Sequence, residues 1–315
     1  MAHSRFIKDT GLTARMTLVM FLLGALFVGL VVGLMYALPN YAFLIGVIGL
    51  GIAWFQWYNS DTLALKAMRA REVSPEEAPE LHGMIDRLCA MADMPKPRVA
   101  IAYTDLPNAF ATGRSPSRAA VCVTTGILDR LTAEELEGVL AHELSHVAHR
   151  DVLVMTLASS AGIVAGMATR GAQYGAIFGG GRRSDNNGAG AFGFLIALVV
   201  SLVVYAISFF LTRLLSRYRE LSADRAGAFL TQKPSALASA LTKITGEIAA
   251  IPTRDLRSAQ SMNAFFIAPA ISGATLSTLS STHPSLEQRI EQLAKVSAEL
   301  GRPMDGGFPS PGPEL

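Results

Sequence analysis

The sequence predicts a mainly α-helical membrane chain, in which four transmembrane helices alternate with a polar α+β region containing a small antiparallel sheet. Three observations carry that prediction. Half of the 315 residues are hydrophobic, 17% are charged and mean hydropathy is +0.36, which is apolar for a water-soluble chain of this size. Residues 17–38, 41–58, 152–169 and 191–212 contain no Asp, Glu, Lys, Arg or His, and each reaches the roughly 18 to 22 residues that about 30 Å of hydrocarbon requires. Between and after them, charged residues and apolar residues alternate at helical or strand spacing.

The first two stretches form a hairpin, because only Pro39 and Asn40 separate them, and Tyr36, Tyr41, Trp54, Trp57 and Tyr58 stand at their ends where aromatic belts form. The first run exceeds the 7 to 15 residues of a signal peptide and a second follows at once, so it reads as a retained anchor. Residues 1–60 are therefore an N-terminal membrane unit. In residues 61–151, Leu81, Ile85, Leu88 and Ala92 at helical spacing predict an amphipathic helix over 76–92, stopped by Pro95 and Pro97. Residues 98–103 and 119–124 read as strands across a Pro/Asn/Gly/Ser loop, hence as an antiparallel pair. Thr132 with Glu135 forms a capping box that starts the next helix. Residues 152–212 are the second hairpin, joined by a Gly-rich link, Gly179-Gly180-Gly181 through Asn186-Asn187-Gly188; a buried hairpin of a soluble core is the competing reading. Residues 213–300 return to polar sequence. Within them 258–281 carries no charge, but its Pro, Gly, Ser and Thr content predicts a loop and short helix rather than a fifth span. Residues 301–315 read as a disordered tail.

Basic residues set the orientation. Arg5, Lys8 and Arg15 precede the first span, Lys66, Arg69 and Arg71 follow the second, and Arg213, Arg217 and Arg219 follow the fourth, which places these sides in the cytoplasm. Arg170, Arg182 and Arg183, against Asp185, argue mildly the other way. A net charge of +2 without Lys/Arg clusters interleaved with aromatics excludes nucleic acid as a partner. Cys89 and Cys122 show no C-x-x-C spacing and fit a reduced compartment, with a single disulfide left open.

The capped helix carries His142-Glu143-Leu144-Ser145-His146. On a helix the two histidines stand at i and i+4 on one face, so both rings can reach one tetrahedral ion, and Glu143 is placed to take a proton from metal-activated water. His149 shares that face but lies about 10.5 Å from His142 along the axis of an unbroken helix, and the metzincin pattern would need Gly at 149 and His at 152. It reads as a non-ligand. The third ligand is better sought in Glu220. His146 lies six residues before the third span and Glu220 eight after the fourth, so an antiparallel hairpin returns both to similar depth, roughly 9 and 12 Å from the membrane edge. Asp224, four residues on, could accept the free ring N–H of a ligating histidine. A solvated face among Arg217, Arg219 and Arg225 competes with this reading.

Together with Asn108-Ala109-Phe110-Ala111-Thr112-Gly113, Arg219-Glu220-Leu221-Ser222-Ala223-Asp224 and His283-Pro284, the motif resembles the HtpX heat-shock membrane proteases, relatives of the CAAX prenyl endopeptidases, over residues from about 5 to 295. The resemblance implies a bacterial inner-membrane zinc endopeptidase, its thermolysin-like (gluzincin) catalytic part facing the cytoplasm, acting on unfolded or damaged membrane proteins in a stress response. It implies one Zn2+ on His142, His146 and Glu220, with Glu143 as general base. His283 resembles the family's late His-Pro; it and Arg289 are candidates for stabilising the oxyanion, against an ordinary surface pair of Arg289 with Glu287 or Glu291. Asn108 and Phe110 are candidates for lining a substrate groove or for shaping their loop. An extended substrate is expected to dock beside the strand near 119–124. Two alternatives stand beside this function. A processing enzyme for lipidated C-termini would need an enclosed chamber with more spans, and a scaffold or transporter with an accidental motif would need charges within the spans, which hold none.

Overall fold

The computed structural model describes residues 10–37, 39–178, 188–250 and 283–302. Arg5, Lys8, most of the Gly-rich link, the stretch 258–281 and residues 303–315 of the tail lie outside the described residues. The chain divides into two compact units, one of Met1–Thr13, Asn59–Val152 and Ser216–Leu315, the other of Ala14–Tyr58 and Leu153–Leu215.

The second unit is helical. It contains most of α1 (Thr10–Ala37) and α2 (Pro39–Tyr58), α7 (Asp151–Phe178) after its first two residues, and the first part of α8 (Gly188–Thr231). Leu30 and Leu34 of α1 pack with Val164, Ala165 and Ala168 of α7 and Val204 of α8. Phe21, Val28, Phe43, Val47, Leu157 and Val199 point outward, more than half exposed. Such side chains are costly against water and at home against lipid. Among the described residues Thr10–Leu34, Asp151–Arg170 and Leu198–Thr231 are long and apolar enough to cross a membrane. Residues 41–58 lie within α2, a helix of 20 residues. At 44 residues α8 runs about 66 Å, roughly twice the hydrocarbon thickness, so the stretch read as 191–212 continues unbroken into polar sequence.

The first unit holds a four-stranded sheet of β1 (Arg71–Glu72), β2 (Arg98–Ala102), β3 (Ala109–Thr112) and β4 (Ala120–Thr124) in the order β1-β2-β4-β3. The expected antiparallel pair is corrected here: β2 and β4 run parallel, Val99 opposite Val121 and Ile101 opposite Val123. The segment between them is long enough to hold β3, which pairs antiparallel with β4 on its other side, so the sheet is mixed. A second correction follows, because β4 is a central strand and cannot receive a peptide at its edge. All five of its residues are buried, as a strand covered on both faces must be. Alternate residues divide between the faces. Val99, Ala109, Val121 and Val123 join Ile85 and Leu88 of α4 (Pro79–Ala92), Leu140 and Leu144 of α6 (Ala133–Ala148), Leu237 and Leu241 of α9 (Pro234–Ala250), and Leu293 of α10 (Leu286–Glu299). Ala100, Phe110, Ala120 and Cys122 face Ala64, Leu65 and Met68, at and just past the end of α3 (Ser60–Ala67). Gly113 closes β3 at φ +138°, where a Cβ would meet the Arg118 carbonyl at 2.5 Å, so only glycine fits. Both cysteines are free and buried, which answers the disulfide question, and burial pushes their thiols up to about 11 for Cys89 and about 12 for Cys122.

Candidate metal centre and active site

The motif helix starts where the capping box places it. Thr132 accepts from the Glu135 amide, and the Glu135 carboxylate accepts from the Thr132 amide at 2.9 Å. Apolar residues on three sides bury α6, leaving His142 1% exposed and Glu143 5%. The helix ends at His149, and Arg150 takes a left-handed φ of 55° before α7 begins. That break turns Asp151 back towards His146.

Three ligand-type side chains converge. His142 Nε2 and His146 Nε2 stand 3.2 Å apart, His146 Nε2 lies 3.4 Å from Glu220 Oε1, and His142 Nε2 lies 3.6 Å from Glu220 Oε2. Tetrahedral ligation at 2.0 to 2.1 Å separates neighbouring ligand atoms by about 3.3 Å, so the spacing fits a zinc-sized ion. His142, His146 and Glu220 form the one His/Cys/Asp/Glu group suited to a metal among the described residues. His149 is not in it.

Buried charge points the same way. Among the described residues, the buried carboxylates Glu143, Asp151, Glu220 and Asp224 stand with Arg219 and Arg289 as buried permanent cations, a formal charge of −2 when all four acids are ionised and the histidines neutral. A divalent cation cancels it. From the protein's own groups alone, burial disfavours a charged His142, but hydrogen bonds to Asp224 and Glu220 outweigh burial and raise it to about 9. This pocket is built to hold positive charge.

Each candidate residue has a definite place. Asp224 Oδ1 lies 2.9 Å from His142 Nδ1. Arg289, 3% exposed, donates to both oxygens of Asp224 at 2.8 and 2.6 Å, so the surface pairing with Glu287 or Glu291 is overturned: the amphipathic face of α10 turns this guanidinium inward. His283 is also buried, its Nδ1 3.1 Å from Glu220 Oε2. Glu143 Oε1 sits 4.0 Å from His142 Nε2, and its Oε2 accepts from the Ala111 amide of β3 at 3.0 Å. Burial raises the Glu143 carboxyl above its usual range. The groove expectation for Asn108 and Phe110 is corrected as far as their side chains go. Asn108 is fully buried with its backbone bonded to Thr124, and Phe110 enters the core on the opposite face of the sheet. The backbone at Ala111 faces the site instead.

With this geometry in hand, comparison with known proteins is decisive: residues 75–297 match Peptidase family M48. The chain belongs to peptidase family M48. It is 55% identical over 313 residues to Protease HtpX homolog 1 of Streptomyces coelicolor, covering 98% of this chain and 99% of that protein. It is 51% identical to the Protease HtpX homolog of Moorella thermoacetica, over 93% and 97% of the two chains. The crystal structure of S. mikatae Ste24p superposes with a TM-score of 0.53 at 17% identity, covering 89% of this chain and 65% of that one, and shares the fold. This M48 chain is thus an HtpX-type metalloendopeptidase, and its apolar helices make it a membrane protein.

Sequence reasoning missed two residues of the site, Asp151 and Arg219. Asp151 Oδ2 stands 2.5 Å from His146 Nδ1 and 2.7 Å from Arg219 Nη2. One signal was available: an acid directly against an apolar run is costly unless something pairs with it.

Proposed function

We propose that the chain is a zinc-dependent endopeptidase of the bacterial inner membrane that cuts misfolded or damaged membrane proteins, with its site facing the cytoplasm. The observation carrying this reading is the convergence of His142, His146 and Glu220 with Glu143 beside them. One zinc per chain on those three residues would polarise the scissile carbonyl and make a water acidic enough to attack near neutral pH.

The chain's own groups do the rest. Glu143 is the general base, aimed by the Ala111 amide, and its raised carboxyl suits a group that takes a proton and later returns it to the leaving amine. An extended substrate docks along β3, which the strand order leaves at the sheet edge, so that main-chain hydrogen bonds hold it with little sequence preference. Such indifference suits a quality-control enzyme. His283, buried beside Glu220, is the group we assign to the carbonyl oxygen as negative charge develops there, whereas Arg289 acts through Asp224. The cytoplasmic orientation is supported by the basic residues around Lys66, Arg71 and Arg217.

The test is substrate trapping with Glu143→Gln in native membranes. Retained zinc with membrane proteins bearing unfolded segments in the trap supports the reading; a trap holding only chains with lipidated C-termini would move it to the processing alternative.

A further inference from the structure

We propose that Asp151 and Arg219 form a positioning pair that aims His146 at the metal, as a counterpart to Asp224 and Arg289 behind His142. This rests on the metal-centre reading above and adds to it two residues that touch no reacting atom.

An imidazole offers two nitrogens, and the hydrogen bond made by one decides which is left to bind a metal. Behind His142 stand Asp224 at 2.9 Å and then Arg289. Behind His146 the same chemistry recurs on unrelated parts of the chain: Asp151 at 2.5 Å from Nδ1, then Arg219 at 2.7 Å. A carboxylate at Nδ1 fixes the proton there and turns the Nε2 lone pair towards His142 and Glu220. Asp151 is 4% exposed, so its charge needs a partner, and Arg219 supplies it.

Position in the chain makes the pair more than a local contact. Asp151 is the first residue of α7 and reaches His146 only because Arg150 breaks the helix. Arg219 directly precedes Glu220 on α8, so consecutive residues grip both ends of the His146 ring, Arg219 through Asp151 at Nδ1 and Glu220 at Nε2. The pair therefore ties the α6–α7 break to the helix that brings the third ligand. Disturbing either residue, one at the start of α7 and the other within α8, would loosen the metal without touching a ligand.

The experiment measures zinc affinity of the full chain in detergent by competition with a chelator, alongside melting of the metal-free form. Asp151→Ala and Arg219→Ala should each weaken zinc binding about 10- to 100-fold. Asp151→Asn, whose side-chain oxygen still accepts from Nδ1–H, should weaken it less. Arg225→Ala is the control, since it removes from the same helix as Arg219 a bidentate arginine, paired with Glu299 of α10 at 2.8 and 2.6 Å and away from the ligands; its affinity should stay unchanged. Should Asp151→Ala not fold, the near-isosteric Asn variant decides: weaker zinc at unchanged melting supports the pair, and wild-type affinity overturns it. Wild-type affinity in Asp151→Ala and Arg219→Ala while His142→Ala loses its zinc also overturns the pair and leaves the metal centre standing. Tight zinc binding by His142→Ala would instead remove the reading beneath both.

Discussion

Glu143 shows how one side chain takes its role from its surroundings. Its position inside the H-E-x-x-H spacing is sequence, but its raised carboxyl comes from burial and its aim from an amide 32 residues earlier. Replacing it by Gln keeps shape and hydrogen bond while removing the base, so turnover should fall about 10²- to 10⁴-fold with zinc content unchanged in metal analysis. Asp224 was legible, because i+4 spacing from Glu220 is a local fact of helices. Arg289 was legible only as a candidate. Which carboxylate it meets is settled 65 residues away, and Arg289→Ala should leave the Asp224 charge buried without its bidentate partner, costing about 3 to 5 kcal/mol in denaturant unfolding.

Among the elements, helix approach sets the ligand geometry. A Cβ at Gly227 of α8 would stand 2.8 Å from the His142 backbone nitrogen, so the helix bearing Glu220 lies against the helix bearing the histidines only because this residue has no side chain. Gly227→Leu should push the helices apart and lower both melting temperature and zinc affinity. Gly246 of α9 has nothing within 4 Å of its would-be Cβ, and Gly246→Ala should stabilise by up to about 1 kcal/mol, because there only helix propensity changes. The same chemical change, a side chain added to a helical glycine, is thus expected to have opposite signs. Strand order is the element-level feature that the sequence left misread. The Val and Thr content of 119–124 marks a strand, but whether it is central or at an edge depends on which distant segment pairs with it, and β3 takes the outer place.

For the whole molecule, the catalytic unit is assembled from three separated lengths of chain, and Glu135 is one of the ties between two of them, Asn59–Val152 and Ser216–Leu315. Its carboxylate accepts from Ser239 at 2.6 Å and from Lys243 at 2.8 Å. Burial alone would raise its pKa, but the Lys243 and Ser239 bonds outweigh burial and lower it below 4.5. A carboxyl depressed in the folded state contributes stability that is fully present above its unfolded pKa and lost as pH falls through the folded one. The melting difference between wild type and Glu135→Gln should therefore be largest near pH 7 and shrink below about pH 4.5; a constant difference would assign Glu135 no ionic role.

Hydropathy is summed residue by residue along the chain, and helix faces and caps are set within a few residues. Hence the apolar helices, the capped motif helix, the i and i+4 histidines and the Asp224 spacing were determined by sequence alone. Pairing between distant segments was not, because it depends on where several elements come to rest together and on single backbone turns such as Arg150. Tertiary structure decided that β2 and β4 run parallel, that Arg289 faces inward, and that Asp151 folds back behind His146. Burial then gave those contacts their strength, since water that would screen a charge pair on the surface is excluded where these groups meet.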